Sequence, residues 1–556
     1  MATNHATSPA ETGEYTHAQI LTILSGLLLG MFLGALDQTI VSTSIRTIAD
    51  DLHGLSVQAW VTTAYLITST ITTPIYGKLG DLYGRKKLFM FAISVFIVGS
   101  VMCAFASSMY ELAVFRAFQG VGAGGLFTLV LAIVGDIVSP RERAKYTGYF
   151  MATFATSSVL GPVIGGFFAG QSEILGVTGW RWVFLVNVPV GIVALVVVYR
   201  TLHLSHTKRV VRIDWWGAVA LVVALVPLLT VAEQGREWGW GSPRSVTAYV
   251  VGGLGLVAFY LAERAMGDDA LIPLRLFRIR AATITILASV AIGAAMFGGI
   301  LILPLYMQIV HGASPTRAGL LMLPMVLGMM SGALFSGNII ARTGRTRVFP
   351  RVGSALLVLG LLLLSTTSAD TSLLVIDLYM LVLGVGLGNC MQPLLLIMQS
   401  AVPPSEIGVA TSSATFFRQI GGTLGVAVFL SILFSTVGGN IAEEFEKAAQ
   451  TPAFQQVVAN PTPADAAVLS DGPAAAAQVQ SDSSFIDTLS PALAHPFKQG
   501  FATSMDLVFL MGAGVGLIAF LLLLFMPKVE LRATSAAAAA RAEAGAKAAA
   551  PMDQEA

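Results

Sequence analysis

The sequence GKLGDLYGRKK at residues 77–87 lies between two long apolar runs and decides how the chain folds. Gly77, Gly80 and Gly84 have no Cβ atom, so two helices can approach and turn here without a steric clash. The single acid of the stretch is Asp81. Its basic residues are Lys78, Arg85, Lys86 and Lys87. Because basic residues accumulate in cytoplasmic loops, we interpret this hinge as a tight cytoplasmic connection between two membrane helices.

A weaker copy of the hinge follows 260 residues further along the chain, again between two apolar runs. The copy keeps two glycines and two basic residues at the same spacing, and Ala341 stands where an acid is expected. These residues are Gly337, Gly344, Arg345 and Arg347. The repeat predicts two related halves.

The composition is that of a polytopic membrane protein. The chain has 556 residues, of which 55% are hydrophobic and 11% charged, and its mean hydropathy is +0.77. Soluble domains carry about 25% charged residues. The net charge of +1 and the scattered small groups of basic residues give no indication of nucleic-acid binding. Cys103 and Cys390 both lie in apolar runs, so we expect no disulfide framework and no metal or cofactor site.

The apolar runs are long enough to cross a bilayer as helices, which takes about 20 residues. Runs this long lack the alternating pattern of barrel strands, so an all-α fold is predicted. The predicted spans are 19–44, 57–77, 88–107, 112–134, 146–169, 182–201, 213–233, 246–265, 282–308, 316–338, 349–368, 372–396, 407–436 and 502–526.

The loop charges set the predicted orientation. Placing both termini in the cytoplasm puts most of the 32 basic residues inside, as the positive-inside rule favours. Residues 1–17 contain Glu11 and Glu14 and no Lys or Arg, unlike the start of a cleaved signal peptide. The first apolar run is therefore expected to remain as a membrane span.

The repeat divides the chain into two six-helix bundles and an inserted helix pair. Residues 437–500 are rich in Pro, Ala and acids, so we expect a partly disordered extracellular loop after a short helix at 441–449. The predicted parts are a cytoplasmic tail at 1–18, a first bundle at 19–202, the inserted pair with its linkers at 203–280, a second bundle at 281–527 that includes the 437–500 loop, and a disordered cytoplasmic tail at 528–556.

Catalytic and nucleotide-binding motifs are absent from the sequence. It has no GxxxxGK[ST] phosphate loop, so transport would depend on an ion gradient. It also has no HExxH pair and no GxSxG turn, so an enzyme is not predicted.

Asp37 lies inside the first predicted span, where a carboxylate costs about 2.5–3.5 kcal/mol on insertion scales. It must face a cavity or a partner, either as a group that exchanges protons or as a structural hydrogen-bond acceptor. Arg116, in the fourth span, reaches a similar depth, so an ion pair between the two is geometrically possible. Protonation of Asp37 would release that pair, whereas the alternative is a purely structural role for Arg116.

Two glycine-rich segments indicate close helix contacts. Gly120, Gly122, Gly124 and Gly125 follow Arg116 and favour tight packing. In the fifth span Pro162 lies between glycines and predicts a bend at a helix interface, although a generic kink is the alternative. These glycines are Gly161, Gly165 and Gly166.

Arg418 lies near the middle of the thirteenth span and needs an acid, water or an anionic substrate. Asp37 and Glu233 are candidate partners, with a solvated position at the rim as the alternative for Glu233. Soft, aromatic and amide side chains of the second bundle are candidates for a substrate cavity, with core or lipid-facing packing as the alternative. They include Phe297, Gln308, Met325, Asn389, Met391, Gln392 and Phe417.

These motifs together resemble a known family. The 77–87 hinge resembles the loop signature of the major facilitator superfamily, and Asp37 with the four residues after it resembles the first-helix motif of its fourteen-helix drug:proton antiporter branch. Arg116 with Gly120 and Gly122 is similar to the fourth-helix motif of that family, and Gly161-Pro162 is similar to its antiporter motif. The likeness covers roughly residues 19–526.

The resemblance implies a central cavity, alternating access and gradient-driven export. It implies that Asp37 and Arg116 take part in proton coupling and that Asp81 braces a cytoplasmic gate with the residues around it. The expected function is a monomeric proton-coupled exporter of amphipathic or hydrophobic small molecules at the plasma membrane. A dedicated exporter of one metabolite or lipid, an uptake carrier, a non-transporting sensor or scaffold and an intramembrane enzyme are the alternatives.

Overall fold

The computed structural model describes residues 16–53, 58–138, 142, 144–202, 214–403, 406–478 and 484–529. The helices of the first half are α1 (His17–Asp51), α2 (Gln58–Tyr83), α3 (Arg85–Ala104), α4 (Met109–Ile137), α5 (Ala144–Ala169), α6 (Trp182–Leu185) and α7 (Asn187–Thr201). A two-residue hairpin of β1 (Glu173–Ile174) and β2 (Val177–Thr178) and a 3-10 turn (Gly179–Arg181) precede α6.

The second half is equally helical. An antiparallel pair comes first, α8 (Trp215–Trp238) and α9 (Pro243–Met266), followed by the 3-10 turns Gly267–Asp269 and Leu274–Arg278. The remaining helices are α10 (Arg280–Ile309), α11 (Pro315–Leu321), α12 (Leu323–Thr343), α13 (Val348–Leu364), α14 (Leu373–Ser400), α15 (Ile407–Ala449), α16 (Pro452–Ala459), α17 (Pro463–Gln478) and α18 (Pro491–Leu524), with the 3-10 turn Ser484–Thr488 before α18.

Each half packs mainly on itself. In the first half α4 packs on α2 and α3, and α1 packs on α5 and α7. In the second half α14 packs on α12 and α13, while α10, α15 and α18 pack on one another. Glycines permit these close approaches: a Cβ on Gly122 of α4 would lie 2.6 Å from the Ala92 carbonyl oxygen of α3. The apolar cores of the two halves are therefore largely separate.

The main contacts between the halves are those of α2 with α15 and of α5 with α12, and smaller contacts join α4 to α15 and α5 to α11. The pair α8 and α9 lies outside this arrangement, and α8 contacts α2 and α15. Many large apolar side chains of α9, such as Leu254 and Val257, are exposed on the outer surface. Apolar residues in these positions suit contact with lipid rather than water.

The prediction of an all-α polytopic membrane protein is confirmed, because each predicted span contains a helix. Within the described residues, twelve helices are long and apolar enough to cross a membrane. Two further helices, α2 and the shorter apolar α13, fall outside that group. The total of fourteen crossings therefore stays a prediction. Residues 1–15 and 530–556, on which most of the two predicted tails fall, lie outside the described residues.

The expectation of a partly disordered loop at 437–500 is wrong for its described parts, 437–478 and 484–500. Helix α15 continues without a break to Ala449, and α16, α17 and the start of α18 follow. The physical reason is an aromatic cluster. The ring of Phe497 on α18 lies 4.9 Å from that of Phe445 and 5.5 Å from that of Phe485, in edge-to-face contacts.

A buried acid adds to this folded segment, which we call the outer helical segment. Asp465 is 1% exposed and accepts hydrogen bonds from the Thr462 hydroxyl (2.7 Å) and from the backbone N–H of Ser490 (3.0 Å). Burial raises the pKa of Asp465, but these hydrogen bonds lower it by more, so its pKa lies below the ordinary value. The carboxylate thus ties α17 to the residue before α18.

We expect Phe497→Ala to loosen the outer helical segment. Phe497 is 1% exposed, and truncation of a buried Phe costs about 3–5 kcal/mol. Limited proteolysis of the purified protein should cut residues 437–500 faster in this variant. Val458→Ala, at a side chain that is 48% exposed, is the matched control. Equal cleavage rates in the two variants would contradict a packed segment.

Candidate functional site

The centre of the first half holds a buried ion pair between α1 and α4. A terminal guanidinium nitrogen of Arg116 lies 2.6 Å from a carboxylate oxygen of Asp37, and the two side chains are 2% and 0% exposed. The ion pair that the sequence allowed is therefore present. Helix α1 places Asp37 toward α4, and the second and third residues after Asp37, Thr39 and Ile40, face α5 instead.

Two amide side chains complete the shell around Asp37. Gln119, one helical turn after Arg116, donates to the carboxylate at 3.0 Å and accepts from Arg116 at 2.7 Å. Asn187, the first residue of α7, donates to the same carboxylate oxygen at 2.8 Å and to the Ser100 hydroxyl at 2.9 Å. Each of these three side chains donates a hydrogen bond to the Asp37 carboxylate, which is the arrangement that a carboxylate requires.

Helix α2 covers the cation. The carbon at the centre of the Arg116 guanidinium lies 4.0 Å from the centre of the Tyr65 ring, a cation–π contact, and Arg116 Nε donates to the Val61 carbonyl oxygen at 3.4 Å. The network therefore draws on α1, α2, α3, α4 and α7. Any change in its charge acts on five helices at once.

The fifth-helix motif lies beside this network. Gly161 and Gly165 are buried against α1, where a Cβ on Gly161 would overlap the Thr39 side chain and one on Gly165 would lie 2.8 Å from the Ile40 carbonyl oxygen. The Ser44 hydroxyl donates to the Gly165 carbonyl oxygen at 3.1 Å.

The other two residues of the motif point elsewhere. Pro162 faces the second half, since a Cβ on Gly319 of α11 would lie 3.3 Å from the Pro162 ring. Gly166 is exposed and has no neighbouring atoms where a Cβ would be placed. The motif therefore has one face on α1 and one at the junction of the halves.

The hinge joins the two halves at the other end of α2. Asp81 accepts from Arg85 at 2.8 Å and from the backbone N–H of Val409, at the start of α15, at 3.1 Å. Arg85 also lies 2.7 Å from Asp136 and donates to the Ala132 carbonyl oxygen. A Cβ on Gly77 would overlap the Ser412 side chain of α15.

The remaining hinge residues shape the turn itself. Gly84 has a φ of 93° between α2 and α3, a conformation that favours glycine. Lys86 donates to the Tyr199 carbonyl oxygen at 2.8 Å. The hinge is thus a contact between the halves as well as a turn.

Arg418 of α15 does not pair with Asp37, which is bound by Arg116, Gln119 and Asn187. The side chain of Glu233, the other candidate partner, lies outside the described residues. Within the described part of the chain, the Arg418 side chain has no recorded hydrogen bond or ion pair. It lines a cavity between α10, α14 and α15. The volume of this cavity is ≈ 10 Å³, about enough to hold one water molecule.

The other predicted cavity residues divide into two groups. Met325 and Asn389 are packed in the second half, and Asn389 donates to the Val385 carbonyl oxygen one turn earlier on its own helix at 2.8 Å. Half-buried side chains form the second group. They are Phe297, which packs near Gly422, Phe417, which packs edge-to-face on Phe277 and Phe416, and Gln308 and Gln392. Of the predicted set, Arg418 and Met391 line the small cavity.

Sequence reasoning missed four members of the Asp37 network, which are Gln119, Asn187, Tyr65 and Ser100. Gln119 had a usable signal, because it lies three residues after Arg116 and so on the same helix face. Asn187 and Tyr65 lie on other helices, and only the fold brings them to Asp37.

Known proteins resemble this chain in sequence and in fold. The profile described as Major Facilitator Superfamily matches residues 27–426. The chain belongs to the Major Facilitator Superfamily. It is 35% identical to the multidrug transporter protein MdtP of Bacillus subtilis, over 76% of this chain and 77% of that protein. It is 33% identical to multidrug resistance protein 3 of the same organism, over 76% of this chain and 81% of that protein.

Solved structures share the fold at low identity. The proton:xylose symporter XylE matches with a TM-score of 0.59 and 15% identity, covering 95% of this chain and 100% of that one. The human organic anion transporter MFSD10 matches with a TM-score of 0.54 and 15% identity, covering 90% and 99%. The major facilitator fold predicted from the sequence is therefore confirmed.

We expect Gly161→Ala and Gly166→Ala to behave differently. A methyl group at 161 would overlap Thr39, and such overpacking costs about 1–3 kcal/mol, more than the roughly 0.5–1 kcal/mol that Ala contributes in a helix. A methyl group at 166 meets open space, so only the helical gain remains. Thermal unfolding of the detergent-purified variants should show a lower midpoint for Gly161→Ala alone. Equal midpoints would contradict the packing.

Proposed function

We propose that the chain is a proton-coupled antiporter that exports amphipathic or hydrophobic compounds by alternating access. The observation that carries this proposal is the ion pair between Asp37 and Arg116, which is almost fully buried. Ionisable groups inside a membrane protein are expensive and mark ion pathways. The names of two relatives, a multidrug transporter and a multidrug resistance protein, support export of drug-like compounds.

The proton acts on the charge of Asp37. A proton on the carboxylate removes the negative charge that holds Arg116, so the donors from α4 and α7 lose their acceptor. Helices that pack through glycines have discrete arrangements, and a change in charge at their common centre shifts the balance between them. Release of the proton on the other side of the membrane restores the ion pair between Asp37 and Arg116.

The hinge supplies the gate in this scheme. Asp81 and Gly77 hold the end of α2 against the start of α15, so opening at this end requires loss of the contact from Asp81 to the Val409 N–H. We assign this end to the cytoplasm, from the basic residues of the hinge. Gly161 and Gly165 couple α5 to α1, two to three residues from Asp37.

The organisation that fits this function has two six-helix bundles, at 19–202 and 281–527, with α8 and α9 inserted between them. Contacts within each half support the division, and the contacts of α8 with α2 and α15 support a position of the inserted pair next to the two helices that form the proposed gate. The protein works as a monomer in the plasma membrane, with a small molecule and protons as its ligands and both termini in the cytoplasm.

Asp37→Asn should abolish export driven by a proton gradient while the protein still folds. An amide cannot exchange a proton, although its oxygen still accepts from Asn187 or Gln119. Efflux of amphipathic fluorescent dyes should be measured in proteoliposomes under an imposed pH gradient. Asp370→Asn, at a side chain that is 80% exposed, is the matched control. Unchanged efflux by Asp37→Asn would overturn the coupling role.

Arg116→Ala should remove the pH dependence of transport as well as most of its rate. Loss of one partner from a buried pair costs about 3–5 kcal/mol, and without the cation a change in the charge of Asp37 no longer makes or breaks a contact with α4. Dye efflux should be recorded across a series of internal pH values and normalised to the folded protein measured by size-exclusion chromatography. A wild-type pH profile in this variant would contradict the proposal.

A further inference from the structure

Two further buried acids lie at the hinge end of the inserted helices. Asp214 precedes α8 and is 3% exposed, and Glu263 lies in the last turn of α9 and is 1% exposed. We call these two residues the carboxyl pair. Neither belongs to the Asp37 network or to the hinge.

One oxygen of each carboxyl group has a backbone donor. Asp214 Oδ1 caps α8 by accepting from the Gly217 N–H at 2.7 Å. Glu263 Oε2 accepts from the Ile272 N–H at 2.8 Å. Both carboxyl groups are therefore fixed in position by the main chain.

The other two oxygens have no donor within the described part of the chain. They are Asp214 Oδ2 and Glu263 Oε1, and both are buried. Helices α8 and α9 pack closely as an antiparallel pair, since a Cβ on Gly255 would lie 2.5 Å from the Ala224 backbone nitrogen, and this register brings Glu263 level with the start of α8, next to Asp214. The two carboxyl groups interact there, yet neither has a hydrogen to donate to the other when both are ionised. A Cβ on Gly217 would overlap the Asp214 carboxyl group, so glycine leaves the space that this contact occupies.

We propose that Asp214 and Glu263 form a proton-binding site, in which one shared proton fastens the inserted helix pair to the linker that follows it, residues 267–279. The proton supplies the hydrogen that the contact lacks. Two ionised carboxylates that are both buried and close together would repel each other, as in other carboxyl pairs that share a site.

The charges around the pair favour keeping the proton. Lys78 of α2 faces it, and the Lys78 ammonium also donates to the Asp268 carbonyl oxygen at 3.5 Å. Several acids surround the same lysine. These are Asp81 at the end of α2, Asp269 in the linker and Glu406 before α15. Arg275 pairs with Asp268 and Glu406, so its charge is already balanced. A further negative charge on the carboxyl pair would therefore be added to a region that is already rich in acids.

The site holds the linker against the contact between the halves. Glu263 binds the N–H of Ile272, and the side chains of Leu271 and Ile272 pack in one apolar cluster with Ile71 of α2 and Val409 of α15. Loss of the shared proton would loosen this linker next to the contact that joins α2 to α15. The site thus links the pH on that side of the membrane to the packing of the inserted pair.

The decisive experiment is infrared spectroscopy of the purified full chain in lipid nanodiscs, with the proton itself as the ligand. The difference spectrum of wild type minus Glu263→Gln should contain the absorption of one protonated carboxyl group, and that of wild type minus Asp214→Asn should contain the same band. Each amide donates the hydrogen that the proton supplied, and the Asn oxygen still caps α8. Asp370→Asn is the control and should leave the band unchanged.

Thermal unfolding of the same samples gives an independent readout. In the proposed site the folded wild type holds a proton that the unfolded chain releases, so its stability should fall as the pH rises and that proton is lost. Glu263→Gln should lack this fall. The proposal is overturned if the difference spectra contain no carboxyl band, if both proteins lose stability in parallel, or if both amide variants fail to fold, because each supplies the missing hydrogen.

Discussion

The structure of the first half depends on one ion pair that is almost fully buried. Asp37 and Arg116 are held 2.6 Å apart, and neither charge would be tolerated alone at this depth. The pair is stable because Gln119, Asn187 and the Tyr65 ring satisfy the remaining polar and cationic surfaces. With Ser100 of α3, which accepts from Asn187, these groups come from five helices, so a change in the charge of a single carboxyl group would act on all five.

Glycine packing gives that charge its mechanical effect. Gly161 and Gly165 bring α5 against α1 beside Asp37, and Gly77 brings α2 against α15 at the hinge. Closely packed helices move as rigid bodies between discrete contacts rather than by gradual deformation. The proposed proton step therefore acts on a structure that already has a small number of well-defined contacts between its halves.

The parts added to the two halves are ordered by local packing. The outer helical segment is held by an aromatic cluster around Phe497 and by the buried Asp465. The inserted pair is held at one end by the hydrogen bonds of Asp214 and Glu263. Both additions place a buried carboxyl group where backbone N–H donors are available, because such donors compensate the cost of removing an acid from water.

The sequence by itself determined the membrane class, the repeat, the hinge and the depth of Asp37 and Arg116, since hydropathy, glycine spacing and isolated charges are local signals. It also misled at residues 437–500, where Pro and Ala indicated disorder but scattered aromatic residues meet only after α15 and α18 come together. Tertiary structure alone decided that Asn187 and Tyr65 surround the ion pair, that Arg418 does not reach Asp37, and that Asp214 lies against Glu263. These contacts join residues distant in sequence, and side-chain direction across a helix packing interface is fixed only once the neighbouring helix is in place.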